Sequence, residues 1–173
     1  MYLNRSIDSE LLLWKKSSKR KPLLLRGARQ VGKSCSVRRL GESFENYIEV
    51  NFEKKPELKE LFRQVNDVKE IASRLGQLYA VPVIPGKTLL FLDEIQASEE
   101  ALKSLWFFKE DFPELHVVAA GSLLEFALRD LQAYGVGRIR SMFMYPLSFD
   151  EFLMAQGKED WIEAKNKADS AHP

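Results

Sequence analysis

Eight consecutive residues constrain this chain more than any other feature: Gly27-Ala28-Arg29-Gln30-Val31-Gly32-Lys33-Ser34. They satisfy the phosphate-binding loop pattern G-x-x-x-x-G-K-[ST] in full, and the apolar run Pro22-Leu23-Leu24-Leu25 leads into them. The pattern carries weight only where a short buried strand, a glycine-containing loop and a helix opened by Lys-Ser follow one another, which is what the flanking residues predict. Successive backbone N–H groups in such a loop form a concave anion site, and the following helix adds the positive end of its dipole. Lys33 is then expected to reach the β- and γ-phosphates of a nucleotide, and the Ser34 hydroxyl to take a place on Mg²⁺. Gly27, Ala28, Val31 and Gly32 are expected to contact phosphate through the backbone, and Arg29 or Gln30 to touch phosphate or the attacking water. Arg26, just before the loop, reads equally well as a surface charge. Cys35, just after Ser34, is counted among the expected nucleotide-binding residues, and its side chain reads most simply as a small buried helix residue; a redox role would need a depressed pKa, which the helix N-terminus could provide.

Composition narrows the setting. The chain has 173 residues, 45% hydrophobic and 29% charged, which suits one globular domain with a real core. A net charge of +1 provides no strong field for nucleic acid or a membrane surface. The single cysteine excludes an internal disulfide and suits a reducing cytosol, so a cytoplasmic location is expected. Apolar runs are too short to span a membrane, and Met1-Tyr2-Leu3-Asn4-Arg5 lacks signal-peptide architecture.

Strand and helix patterns alternate along the chain. Ile7, Leu11 and Trp14 share a helical face, with Ser6 or Asp8 available as cap. The basic run 15–21 reads as a solvated loop, with a phosphate or nucleic-acid contact as the alternative. The helix from Lys33 is expected to stop near Gly41. Tyr47 to Phe52 reads as a second strand, and Pro56 marks a helix start ahead of Leu58, Leu61, Phe62 and Val65. Val68, Ile71, Ala72, Leu75 and Tyr79 form a further helical stripe, ended by the Pro-rich turn 81–86. Thr88 to Asp93 is the most continuously apolar segment, as a central parallel strand covered on both faces would be. Ser98 can cap a helix with Ala101, Leu105, Phe108 and Phe112 on one face, and Pro113 ends it. His116 to Ala120 reads as a fourth strand, Ser122 to Leu131 as a helix, and Arg138 to Met144 as a fifth strand. Ser148 and Glu151 form a capping box, and a last helix is expected over Trp161 to Ala168. This alternation predicts an α/β fold, a parallel sheet with right-handed crossovers and ligands at the carboxyl ends of its strands.

Leu89-Leu90-Phe91-Leu92-Asp93-Glu94 is the second strong signal. An apolar strand delivering two carboxylates at its end has the form of a Walker B segment. Asp93 is the expected Mg²⁺ group, through the metal's water shell, and Glu94 the expected general base or water-orienting group. Ser122, at the end of the fourth strand, is expected either to sense the γ-phosphate or simply to cap its helix in the box Ser122-Leu123-Leu124-Glu125. Arg138 is either a transition-state arginine, in cis or from a neighbouring subunit, or a solvated strand-edge residue. His116 has no partner at metal-ligand spacing, so it gives no reason to expect zinc.

Taken together, residues 27–34, Leu-Asp-Glu-Ile-Gln (92–96), Ala-Gly-Ser (120–122), Gly-Arg (137–138) and Tyr-Pro-Leu-Ser-Phe-Asp-Glu-Phe-Leu (145–153) resemble a group of prokaryotic AAA-type P-loop ATPases. That group has a DEIQ-type Walker B segment and a C-terminal nuclease-like domain of unknown function. The resemblance implies a five-stranded sheet of order 5-1-4-3-2 with helices on both faces, ATP and Mg²⁺ as ligands, and possible homo-oligomers. It carries phosphate binding onto Gly32, Lys33 and Ser34, metal and water roles onto Asp93 and Glu94, sensing onto Ser122, and the finger position onto Arg138. Ala28 departs from the group, which often has proline there. The implied layout is an ATPase core over 1–145 and, over 146–173, the start of a helical lid or linker to a C-terminal domain absent from this chain. The expected function is Mg²⁺-dependent ATP hydrolysis coupled to that domain. A nucleotide-dependent switch with little turnover is the alternative, and a small-molecule P-loop kinase is disfavoured by the adjacent Asp93-Glu94.

Overall fold

The computed structural model describes residues 2–122 and 137–171. Its elements run in the order α1 (Ser6–Lys16), β1 (Leu23–Arg26), α2 (Lys33–Gly41), β2 (Asn46–Asn51), α3 (Leu58–Gln64), α4 (Val68–Tyr79), β3 (Thr88–Asp93), a 3-10 turn (Ile95–Ala97), α5 (Glu99–Asp111) and β4 (His116–Ala120). Beyond the undescribed segment come β5 (Arg140–Phe143), α6 (Phe149–Ala155) and α7 (Glu159–Ala171). The expected helix over 122–131 falls almost wholly outside the described residues.

All five strands are parallel and lie in the order β2-β3-β4-β1-β5, the expected 5-1-4-3-2 order read from the other edge. Strand side chains alternate between faces, so each apolar strand feeds two cores. Leu24, Ile48, Val50, Leu90, Leu92, Val117 and Ala119 pack with Leu58 and Phe62 of α3, Ile71 and Leu75 of α4, and Leu105 and Phe108 of α5. On the opposite face, Leu23, Leu25, Leu89, Phe91, Val118 and Ala120 pack with Ile7, Leu11 and Trp14 of α1 and Val37 and Leu40 of α2. Both faces of the sheet are therefore covered, which is why β3 and β4 are buried along their whole length.

Several boundaries differ from expectation for local reasons. Helix α1 starts after Arg5, whose N–H donates to Asp8 Oδ2 at 2.8 Å, while Ser6 turns its hydroxyl to Glu151 at 2.7 Å. Strand β2 is shifted one residue, and Phe52 leaves it to enter the core. Pro56 lies in a turn, with α3 beginning at Leu58. Phe112 caps α5 rather than extending its stripe. Strand β5 is shorter than the expected 138–144, and α7 is longer than the expected 161–168. The basic run is only partly a solvated loop. Lys15 and Lys16 belong to α1, Lys15 Nζ donates to the Ser43 carbonyl at 2.6 Å, and Arg20 donates to the Glu114 carbonyl. Among the described residues no helix is long and apolar enough to cross a membrane.

His116 opens β4 beneath α1, with its ring edge-on to Trp14 and Phe44 and its Nε2 3.2 Å from the Lys15 carbonyl, to which it donates. Burial, reinforced by the positive charge of Arg20, lowers its pKa to about 4. Between the ordinary imidazole value and about 4 the unfolded chain holds a proton that the folded chain refuses, so stability falls as pH drops through that window. Urea unfolding at pH 7 and pH 5 should show wild type losing about 2 kcal/mol more than His116→Gln. Equal losses would contradict a buried neutral imidazole.

Candidate functional site

The register of the sheet gathers the site at one edge. Asn51 pairs with Asp93, Asp93 with Ala120, and Ala120 with Leu25, so four strand ends lie in one row. Just beyond that row β1 passes into the loop, β3 into Glu94 and β4 into Ser122.

The loop's path depends on residues that tolerate unusual backbone. Gly27 sits at φ +144°, and a Cβ there would lie 2.2 Å from the Met144 carbonyl oxygen, so β1 can pass its neighbour only as glycine. Gly32 (φ 103°) and Gln30 (φ 62°) also occupy positive-φ backbone. Lys33 opens α2 and folds back over the loop, its Nζ donating to the carbonyls of Gly27 at 2.9 Å and Ala28 at 2.7 Å. Burial lowers its pKa, with the charges of Glu94 and Asp93 opposing. The result is a desolvated cation held by two neutral acceptors, which a phosphate oxygen can displace.

The Ser34 hydroxyl lies 3.1 and 3.0 Å from the two oxygens of Asp93, and Asn51 Nδ2 donates to Oδ2 at 3.1 Å. Burial pushes the Asp93 carboxyl up, the Ser34 and Asn51 donors draw it back, and the neighbouring Glu94 charge adds to the rise. A buried carboxylate biased toward protonation is stabilised as an anion by a divalent cation. One carboxylate and one hydroxyl fit Mg²⁺, which keeps several waters and takes its remaining ligands from phosphate. Among the described residues no group of three or more His, Cys, Asp or Glu is placed to hold a metal ion.

Glu94 adopts left-handed backbone (φ 51°), and Gln96 Nε2 donates to its Oε2 at 2.6 Å. Ser122 is buried, and Arg29 Nε donates to its hydroxyl at 3.3 Å. The loop thus touches the end of β4 directly. The other partner of the expected Ser122 cap, Glu125, lies outside the described residues. A cleft of about 500 Å³ runs beside the loop between Tyr2, Leu3 and Arg5 on one side and Met144, Pro146 and Leu147 on the other. Cys35 lines this cleft and is exposed, contrary to its reading as a buried helix residue: it faces away from the sheet, while Ser36 and Val37 turn inward.

A family model described as AAA domain matches residues 19–153, most of the chain. The chain belongs to the AAA domain family. Among solved structures, the Walker-type ATPase PABY2304 of Pyrococcus abyssi is similar with a TM-score of 0.60 and 18% identity. The likeness covers 91% of this chain and 57% of that one, so the chain spans little more than half of that neighbour's length. At this identity the likeness carries the fold. Among curated proteins none matches.

This AAA domain brings Lys33, Ser34, Asp93, Glu94 and Ser122 to one end of its sheet. It does not bring Arg138 there. Arg138 lies in the turn that precedes β5 at the sheet's amino edge, and the strand from Arg140 to residue 144 beside Gly27 by itself covers about 13 Å. Its guanidinium donates to Glu110 at 2.7 Å and lies 4.4 Å from the centre of the Trp106 ring. Arg138 thus lies at the end of β5 opposite its own loop. Asn51, Gln96 and Arg5 are site residues that sequence reasoning missed. Asn51 ends a strand adjacent to Asp93, a position that strand pairing alone reveals; Gln96 lies within the quoted 92–96 motif; Arg5 carries no signal in the sequence.

Gly27→Ala should destabilise the domain by about 2 kcal/mol or more, because positive φ and a backbone clash act together. A urea unfolding curve within about 0.5 kcal/mol of wild type would show that the β1–β5 approach can relax.

Proposed function

We propose that this AAA domain binds ATP with Mg²⁺ through residues 27–35, hydrolyses it slowly, and transmits its nucleotide state to a C-terminal part beyond α7. The observation that carries the reading is the contact of Ser34 with Asp93, residues far apart in sequence, beside a buried Lys33. Phosphate is received by loop N–H groups and the start of α2, and Lys33 exchanges its two carbonyl acceptors for phosphate oxygens. Ser34 and Asp93 would hold Mg²⁺, which on binding neutralises phosphate charge. Glu94 orients the attacking water and takes its proton. Arg29 and Ser122 stand together where a terminal phosphate can be read. The cleft of Tyr2, Leu3 and Leu147 is suited to the base and ribose.

Arg138 is assigned to a neighbouring subunit's site in a homo-oligomer, where its distance from its own loop ceases to matter. The hydrogen bond from Gln96 occupies one oxygen of Glu94 and favours low turnover, which keeps a switch with little hydrolysis as the second reading.

Single-turnover hydrolysis of ATP separates the two. Glu94→Gln should slow the chemical step about 100-fold while leaving ATP affinity within a few-fold of wild type; equal rates would remove Glu94 from catalysis and leave the switch. In the same assay, wild-type rate per subunit should rise with protein concentration and that of Arg138→Ala should not, whereas parallel curves would sink the trans assignment.

A further inference from the structure

Arg5 lies before α1, remote in sequence from the loop, yet its guanidinium is buried against it. Nη1 donates to the Val31 carbonyl at 2.8 Å and Nη2 to the Tyr145 carbonyl at 2.9 Å, while Nε stands 3.1 Å from Glu151 Oε2. The two side chains are only 10% and 4% exposed. Glu151 is itself surrounded by donors: the N–H of Ser6 at 2.8 Å, the hydroxyl of Ser6 at 2.7 Å and the N–H of Ser148 at 2.9 Å. Burial alone would raise its pKa, but these donors and Arg5 outweigh burial and hold it at about 2. Glu151 is therefore an anion at neutral pH. The pair joins three pieces of chain: the segment before α1, the phosphate loop, and the segment from Tyr145 into α6.

The contact with Val31 has a consequence for phosphate. Carbonyl and following N–H point to opposite sides of a trans peptide, and no peptide bond among the described residues is cis. Anchoring the Val31 oxygen on Arg5 therefore fixes the Val31–Gly32 peptide plane and aims the Gly32 N–H away from Arg5. Local sequence does not fix that plane, because Gly32 has a glycine's freedom and sits at φ 103°. An external brace supplies what a side chain at Gly32 would otherwise restrict.

We propose that Arg5 is a positioning residue for phosphate binding, holding the Val31–Gly32 peptide in its receptive orientation, and that Glu151 seats Arg5, so that the placement of α6 is linked to nucleotide affinity. The proposal rests on the phosphate-binding reading above. Linkage is reciprocal: whatever α6 contributes to binding, bound nucleotide returns to the docking of α6. Through Glu151 and Arg5, α6 thereby reports on the loop.

The test uses MgADP, calorimetry and the amide spectrum of the full chain, on wild type, Arg5→Met, Arg5→Lys, Glu151→Gln and the double variant Arg5→Met/Glu151→Gln. Binding of MgADP by wild type is the control for the parent reading; its failure would sink that reading and the proposal with it, whereas a failure confined to the variants' predicted behaviour would sink the proposal alone. Arg5→Met should weaken MgADP about tenfold, the size of one lost charge-assisted hydrogen bond. Arg5→Lys should recover part of the loss, because an ammonium can still donate to one carbonyl. Glu151→Gln should weaken binding a few-fold, and the double variant should be no weaker than Arg5→Met, since the two act as one unit. The Gly32 amide resonance should shift less on saturation with MgADP in each variant than in wild type, which a staple that merely stabilised the fold would not cause. Should Arg5→Met fail to fold, Arg5→Lys and Glu151→Gln carry the same spectral test. Affinity within twofold of wild type, an unaltered Gly32 shift, or additive effects in the double variant would each overturn the proposal.

Discussion

A carboxylate buried at the end of a sheet must be partnered or neutral, and Asp93 is where this protein meets that constraint. Burial works against its charge, and Ser34 and Asn51 answer it from two other elements. The sheet order is what makes the answer possible. β2 lies beside β3, bringing Asn51 into register with Asp93, and β1 lies on the other side with β4 between, so that its loop can swing α2 and Ser34 back over the end of β3. The two apolar cores serve this arrangement by covering both faces of β3 and β4, which leaves the strand ends as the place where polar groups converge. A second buried charge, Lys33, is treated in the same way, with loop carbonyls as provisional partners. Both groups are more stable with a counter-ion than without one, and Mg²⁺ with phosphate supplies both at once.

The two ends of the sheet carry different chemistry. At the carboxyl end, strained or glycine backbone at Gly27, Gln30, Gly32 and Glu94 is concentrated within the loop and the turn after β3. Among the described residues the non-glycine positions with positive φ are Gln30 and Glu94 here and Ala80 at the end of α4, so two of them flank one cluster of polar side chains. At the amino end, His116 is sealed under Trp14 and Phe44, and Arg138 is laid along α5. The first is an anchoring contact for α1, which in turn presents Arg5 to the loop. The second is held by Glu110 and Trp106 of α5.

Much of this was legible in the chain because period-2 and period-3.6 patterns report directly on burial. Leu89 to Leu92 announced a central strand, and the Gly27–Ser34 pattern announced the loop. Strand ends proved less legible: β2 and β5 each differ by residues whose fate depends on a neighbour, such as Phe52 leaving its strand for the core. Site residues contributed by pairing escaped entirely. Asn51 has no motif and gains its role from register with Asp93, and Arg5 gains its role from a fold that returns α6 to the start of the chain. Arg138 was legible only as a choice of readings: it lies at the amino end of β5, away from its own loop, where the strand-edge and neighbouring-subunit readings both stand. Cys35 is exposed: adjacency to Ser34 does not decide which side of α2 a residue takes.

The central claim is that Lys33 is a held cation waiting for phosphate, and calorimetric titration with MgATP of wild type against Lys33→Ala tests it most directly. Wild type should bind and Lys33→Ala should show no measurable heat of binding, while its unfolding midpoint stays near that of wild type because the lost contacts are to loop carbonyls alone. Unchanged affinity in Lys33→Ala would contradict the phosphate-loop account.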